Sequence, residues 1–195
     1  MTIASTRFVF LPKPKRRWFQ FRLRTLFVLV VVAAAPCVWL KAKLDRKQKE
    51  RVAIAEIESL GGFVLYDWEN ADQEGPPGPA WLRRLFGDDF FARMIWSDIC
   101  GQEVTDGSLV YLDPLADLEF VDLSGAEKIT DNGLCHLKAL SHLRALVLGA
   151  GVTDQAVGHL KELTQLRELI VEDSSVTDAG VAELQKALPN CKILR

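Results

Sequence analysis

From about Met94 to the C-terminus, the apolar residues fall into four copies of one pattern: "MIWSDICGQEVTDGSLVYLDPL", "LEFVDLSGAEKITDNGLCHLKAL", "LRALVLGAGVTDQAVGHLKEL" and "LRELIVEDSSVTDAGVAELQKAL". Each copy opens on alternating apolar positions, the period of a strand with one buried face. Each closes on apolar residues three apart, the spacing of a helix with one apolar side. In the third copy Leu143, Leu146 and Leu148 point inward from the strand, Val152 turns the chain, and Val157, Leu160 and Leu163 return along the helix. Thr-Asp pairs begin at Thr105, Thr130, Thr153 and Thr177, spaced by 25, 23 and 24 residues. One unit cannot bury its apolar face alone, so neighbours are expected to stack around a shared core. Two departures stand out: Ser97 occupies a strand position where leucine is expected, and an extra residue near Lys128 lengthens the second copy.

Ahead of the copies the pattern changes. Residues 25 to 40, "TLFVLVVVAAAPCVWL", carry no charged side chain. As a helix they span about 24 Å, short of the roughly 30 Å of a bilayer's hydrocarbon core. Phe19, Phe21 and Leu23 extend the apolar surface, Arg22 and Arg24 can reach the interface, and Trp18 and Trp39 stand where interfacial aromatics are expected. A transmembrane helix is therefore predicted. A cleaved signal peptide would need a cut after residues 33 to 35, which places Pro36 after the scissile bond, and a lipoprotein reading of Cys37 meets Pro36 where a small residue is required. Both arguments favour an uncleaved signal anchor. Residues 41 to 60 read as a juxtamembrane helix stopped by Gly61 and Gly62, and residues 61 to 93 as a capping segment. That segment contains a short strand at "FVLYDWEN", a proline and glycine-rich loop over 71 to 80, and an aromatic element with Trp81, Phe86, Phe90 and Phe91.

Charge sharpens this division. The net charge is -2, but residues 1 to 24 hold seven Lys or Arg and no acid, and residues 41 to 51 hold six against Asp45 and Glu50. Residues 52 to 195 carry 11 basic and 24 acidic side chains, 11 minus 24 giving -13. A body so acidic is a poor partner for nucleic acid, whose binding depends on neutralising phosphates. The basic flanks suit a membrane surface. Because basic residues govern orientation, the N-terminus is expected in the cytoplasm and the repeated region, 94 to 195, on the opposite side.

Little else points to chemistry. The Thr-Asp pairs sit where a loop enters a helix, so Thr is expected to cap free N–H groups and Asp to favour the positive end of the helix dipole. No His or Cys stands at a fixed offset from these aspartates, so a structural role is expected in place of metal binding. Cys37, Cys100, Cys135 and Cys191 are too dispersed for a zinc site or disulfide framework, and His136 and His159 lie at equivalent repeat positions without a third ligand. No nucleophile elbow, phosphate loop or dinucleotide fingerprint occurs. No catalysis, cofactor, metal or small-molecule substrate is expected.

Binding should then rest on the strand residues that point away from the core. These are Trp96, Asp98 and Cys100 in the first copy, Phe120, Asp122 and Ser124 in the second, Ala145, Val147 and Gly149 in the third, and Glu168, Ile170 and Glu172 in the fourth. Apolar Trp96, Phe120, Val147 and Ile170 beside acidic Asp98, Asp122, Glu168 and Glu172 make a candidate protein-contact patch.

The repeats resemble the leucine-rich-repeat class with the pattern L-x-x-L-x-L-x-x-T-x-V-T-D-x-G-L. Together with "RRWFQFRLRT" ahead of the apolar run and "ALPNC" near the end, the chain is similar to small membrane-anchored bacterial proteins that carry such repeats. The resemblance covers Arg16 to the C-terminus and implies protein binding. The repeat also resembles the Cys-containing type of eukaryotic F-box adaptors, but no F-box-like segment precedes it, so ubiquitin-ligase function is not expected. The expected architecture is an α/β leucine-rich-repeat solenoid, a short horseshoe of about four repeats, with an N-terminal transmembrane helix and an α/β capping segment. Its expected function is non-catalytic binding of another protein through the concave sheet face, on a single-pass membrane protein. The alternatives are a structural or self-associating envelope protein, pairing through a poorly covered edge at "CKILR", and an adaptor resembling F-box-type leucine-rich-repeat proteins without the F-box.

Overall fold

The structure, a computed structural model, describes residues 23 to 69, 75 to 99 and 103 to 195. Most of the basic N-terminal tail, with Trp18, Phe19 and Phe21, lies outside the described residues, as do residues 71 to 74 of the loop, and Cys100. The chain divides into two units, residues 1 to 41 and 42 to 195.

Helix α1 (Leu23–Ser59) is continuous for 37 residues and includes Pro36. Among the described residues no helix is long and apolar enough to cross a membrane. That finding overturns the expected anchor over residues 25 to 40, the signal-anchor reading, and the single-pass placement with a cytoplasmic N-terminus. The physical reason lies in the length of the apolar run, whose roughly 24 Å falls short of a bilayer core. Beyond it the same helix runs on through the six basic residues between 41 and 51.

In the second unit the helix stops where Gly61 adopts a positive φ of 91°, a conformation that glycine enters without strain. Gly62 follows for a different reason. A Cβ there would lie 2.7 Å from the Asp98 carbonyl oxygen and 2.8 Å from the Ile57 side chain, so only hydrogen fits between helix and sheet. Ala53 and Ile57 turn their side chains into the core. Charge fixes the helix as well. Lys47 Nζ lies 2.8 Å from Glu50 Oε2 and donates to the Ala92 carbonyl at 2.8 Å, while Arg46 bridges Glu50 at 2.9 Å and Asp117 at 2.8 Å. Arg51 forks onto both carboxylate oxygens of Asp89 and also donates to the Phe86 carbonyl. Burial, the largest influence, pushes the Asp89 carboxyl up, but the Arg51 hydrogen bonds and charge together hold it below its ordinary value.

Six strands form one sheet in sequence order: β1 (Phe63–Tyr66), β2 (Met94–Asp98), β3 (Phe120–Asp122), β4 (Ala145–Val147), β5 (Glu168–Ile170) and β6 (Lys192–Leu194). β1 runs antiparallel to β2, with a register shift between Leu65 and Tyr66, and all later pairs are parallel. Between β1 and β2 lie the short helix α2 (Ala80–Phe86) and a 3-10 turn, Asp88–Phe90. Phe90 is buried with Phe86 and Phe91 packed on it at centroid distances of 4.8 and 4.9 Å, whereas Trp81 and Leu85 are exposed. The aromatic element is thus only partly a core element.

The parallel strands are joined by 3-10 segments, Asp106–Leu112, Gly133–Ala139 and Asp154–Ala156, the last running into α3 (Val157–Leu160). Only the last return makes a regular helix of any length, α4 (Asp178–Ala187). A 3-10 segment rises about 2.0 Å per residue against about 1.5 Å for an α-helix, so a seven-residue return covers more ground in that form. This corrects the expectation of a leucine-rich-repeat solenoid. The molecule is a mixed α/β fold with one mostly parallel six-stranded sheet, because β1 enters antiparallel from outside the repeated region and the returns lack a uniform helical form. The repeat pattern governs β2 to β5 and does not dictate what joins them at either side.

The core follows the alternation. Val121, Leu146 and Leu169 are register partners, none exposed, and are met from the returns by Leu109, Leu112, Leu134, Leu137, Leu160 and Leu184. Ser97 continues this inward row on β2, also fully buried, and its hydroxyl has no hydrogen-bond partner among the described residues. An unsatisfied buried hydroxyl costs about 1 to 3 kcal/mol. The sequence departure at Ser97 is therefore a weak point of the core.

Candidate functional site

Because successive strand residues face opposite sides, fixing the inward row fixes the outward ones. Two outward rows cross the sheet. One contains Leu65, Trp96, Phe120, Ala145, Glu168 and Lys192, and the other Phe63, Asp98, Asp122, Val147, Ile170 and Leu194. Seven of the eight residues singled out from the sequence, Trp96, Asp98, Phe120, Asp122, Val147, Glu168 and Ile170, thus share one face and are half-buried there. Glu172 is exposed but lies two residues past the end of β5, outside the rows. Gly149, expected on the same face, is buried against the Leu123 carbonyl, where no side chain could fit.

The face has two halves. Over β2 and β3 the first row is aromatic: the Trp96 and Phe120 rings are 4.2 Å apart by centroid and tilted by 40°. The indole N–H of Trp96 is enclosed without an acceptor among the described residues. The second row here is acidic, with Asp98 directly beside Asp122. Asp122 Oδ1 accepts the Ser124 backbone N–H at 2.9 Å, and neither carboxylate pairs with a Lys or Arg among the described residues. Over β4 to β6 the order reverses. Val147, Ile170 and Leu194 line the second row, while the first holds Ala145 and then Glu168, 4.0 Å from Lys192 Nζ. The apolar surface therefore steps diagonally across the sheet, edged by charge on alternate sides.

Phe63 and Leu65 belong to this surface and sequence reasoning missed them. The strand at "FVLYDWEN" was visible, but not its pairing with β2, which sets Phe63 beside Asp98 and Leu65 beside Trp96. The only local signal was the alternation of the strand itself.

The four Thr-Asp pairs do something the sequence did not suggest. Thr105, Thr153 and Thr177 are N-caps as expected, the last accepting from the Gly180 N–H; Thr130 is not, its segment being preceded by Asn132. Three of the four aspartates reach across to the next copy. Asp106 accepts from the backbone N–H and hydroxyl of Thr130, both at 2.6 Å. Asp131 does the same with Thr153, both at 2.7 Å, and Asp154 with Thr177, at 2.7 and 2.6 Å. The Thr177 hydroxyl and N–H hold the Asp154 carboxyl below its ordinary value. Asp178 contacts Arg195 instead of a threonine. These carboxylates are clamps between copies.

His136 Nδ1 lies 3.8 Å from Asp113 Oδ1, and Cys37, Cys135 and Cys191 are unpaired thiols, Cys191 buried with its thiol pushed up by that burial. Among the described residues no group of three or more His, Cys, Asp or Glu could hold a metal ion. The chain matches no protein-family model and no curated protein.

Proposed function

We propose that the chain is a non-catalytic module that binds another protein through the outward face of its sheet. The observation that carries this reading is the diagonal of half-buried apolar side chains, Trp96, Phe120, Val147, Ile170 and Leu194, continuous over five strands and bordered by charge. At about 4.8 Å per strand it is roughly 19 Å long. An apolar strip edged by polar groups, with aromatic side chains at one end, has the composition of a protein contact surface. Phe120→Ala combined with Ile170→Glu should abolish capture of the cellular partner, while Lys138→Glu with Lys161→Glu on the returns should leave it intact. Circular dichroism should first confirm that both variants are folded. Equal capture by the first variant and the wild type would move the site off this face.

A second reading, self-association, is favoured by one observation. No described strand pairs with the outer edge of β6, and unpaired edges invite pairing with another chain. Sedimentation over a hundredfold concentration range separates the two, since edge pairing predicts growth in size and the first reading does not.

A further inference from the structure

The β2 to β3 half of the face carries a feature that stability does not explain. Asp98 and Asp122 are register partners on adjacent strands, about 4.8 Å apart at the backbone, and like charges placed opposite each other destabilise a sheet. Three other acids near strands hold basic partners: Asp117 binds Arg46, Asp89 binds Arg51, and Glu119 lies 3.8 Å from Arg93 and 3.4 Å from Arg144. Among the described residues Asp98 and Asp122 hold none. Aromatic surface stands on two sides of them. Trp96 and Phe120 occupy the neighbouring row, and Phe63, 44% exposed, sits beside Asp98.

Resting on the proposed binding face, we infer that this half receives an arginine side chain from an extended basic segment of the partner protein. A guanidinium is planar, always charged, and presents a fork of donors that carboxylates accept in pairs. It also stacks on aromatic rings, whose π faces attract cations. The arrangement of two adjacent carboxylates flanked by three aromatic rings offers both interactions at once. Lysine would satisfy the charge but not the planar stacking. Long-range charge agrees, because residues 52 to 195 carry a net of 11 minus 24, or -13, which draws a basic segment towards the molecule before contact. The repulsion between Asp98 and Asp122 in the free protein is then relieved on binding.

The test uses the full chain and a labelled peptide, acetyl-Ser-Arg-Leu-Arg-Leu-Arg-Ser-amide, with two relatives in which lysine or uncharged citrulline replaces arginine. The arginine peptide should bind, the lysine peptide several-fold more weakly, and the citrulline peptide not measurably. Asp98→Asn with Asp122→Asn should weaken arginine-peptide binding at least tenfold, with a melting temperature equal to or above wild type because the repulsion is gone. Glu127→Gln with Asp173→Asn removes the same charge from exposed turns and should change binding less than twofold. Equal losses in the two double variants would reduce the effect to diffuse charge and overturn the inference. So would a citrulline peptide that binds as well as arginine. Sedimentation growth that the Asp98 and Asp122 variant alone abolishes would make the occupant a second copy of this chain, overturning its assignment to another protein. If Phe120→Ala with Ile170→Glu loses the cellular partner while the aspartate variant keeps both partner and peptide, the inference falls and the binding face stands.

Discussion

The two sides of the sheet obey different rules although the same strands build both. On the inner side Val121, Leu146 and Leu169 are fully buried register partners, interchangeable aliphatic groups in one environment. On the outer side the partners Trp96, Phe120, Ala145 and Glu168 run from aromatic to small to charged. Burial constrains the inner row to aliphatic size, because every methylene contributes to packing. Nothing of that kind constrains the outer row, and the chemistry that could recognise something is concentrated there.

The largest expected effect separates adjacent residues. Leu146→Ala should cost about 3 to 4 kcal/mol by urea unfolding, the range for emptying a buried leucine site. Val147→Ala, one residue on but facing outward, should cost less than about 1 kcal/mol. Similar losses at the two positions would break the comparison between the faces. Next in size is Asp131→Ala, which removes both hydrogen bonds to Thr153 and leaves two donors at the joint between copies. About 2 kcal/mol is expected from lost bonds to a charged acceptor that is only half-buried. A loss of only a few tenths would show that the clamps contribute little to stacking.

Ser97→Ala should act in the opposite direction. Removing a buried hydroxyl that has no partner among the described residues is expected to stabilise by about 1 kcal/mol, sharpening the rule that the inner row wants apolar groups. A destabilised variant would mean that the hydroxyl serves the fold. The smallest effect is a trend with pH. The Asp154 carboxyl lies below its ordinary value of 3.8, so its contribution is present above that pH and fades as pH falls through the lowered value. The gap in melting temperature between Asp154→Ala and wild type should therefore be open at pH 7 and narrow towards pH 2. A gap independent of pH would contradict the clamp.

What the sequence made legible was local. Alternation within each strand and the Thr-Asp spacing were enough to assign Trp96, Phe120, Ala145 and Glu168 to one outward row and Asp98, Asp122, Val147 and Ile170 to the other. The non-local pairings were not legible. The antiparallel approach of β1, which brings Phe63 and Leu65 to the face, depends on contacts across some thirty residues of chain that no spacing encodes. The reach of Asp106, Asp131 and Asp154 to the next threonine likewise needs stacked neighbours, whereas a cap within one copy can be read from that copy alone. The apolar run over 25 to 40 misled because flanking Phe19, Phe21 and Leu23 were expected to extend its roughly 24 Å to bilayer thickness, and the whole-fold class misled because a pattern confined to four copies was extended to the sheet as a unit.

The central claim, that the outer face is where this protein meets its partner, is tested most directly by placing a photo-activated crosslinking residue at position 147 or at position 161 and irradiating intact cells. Val147 lies in the middle of the outer diagonal and Lys161 is exposed on a return segment. The account expects one discrete adduct from position 147, absent from position 161 and lost when Phe120→Ala is added. Adducts of the same protein from both positions, or from 161 alone, would contradict it.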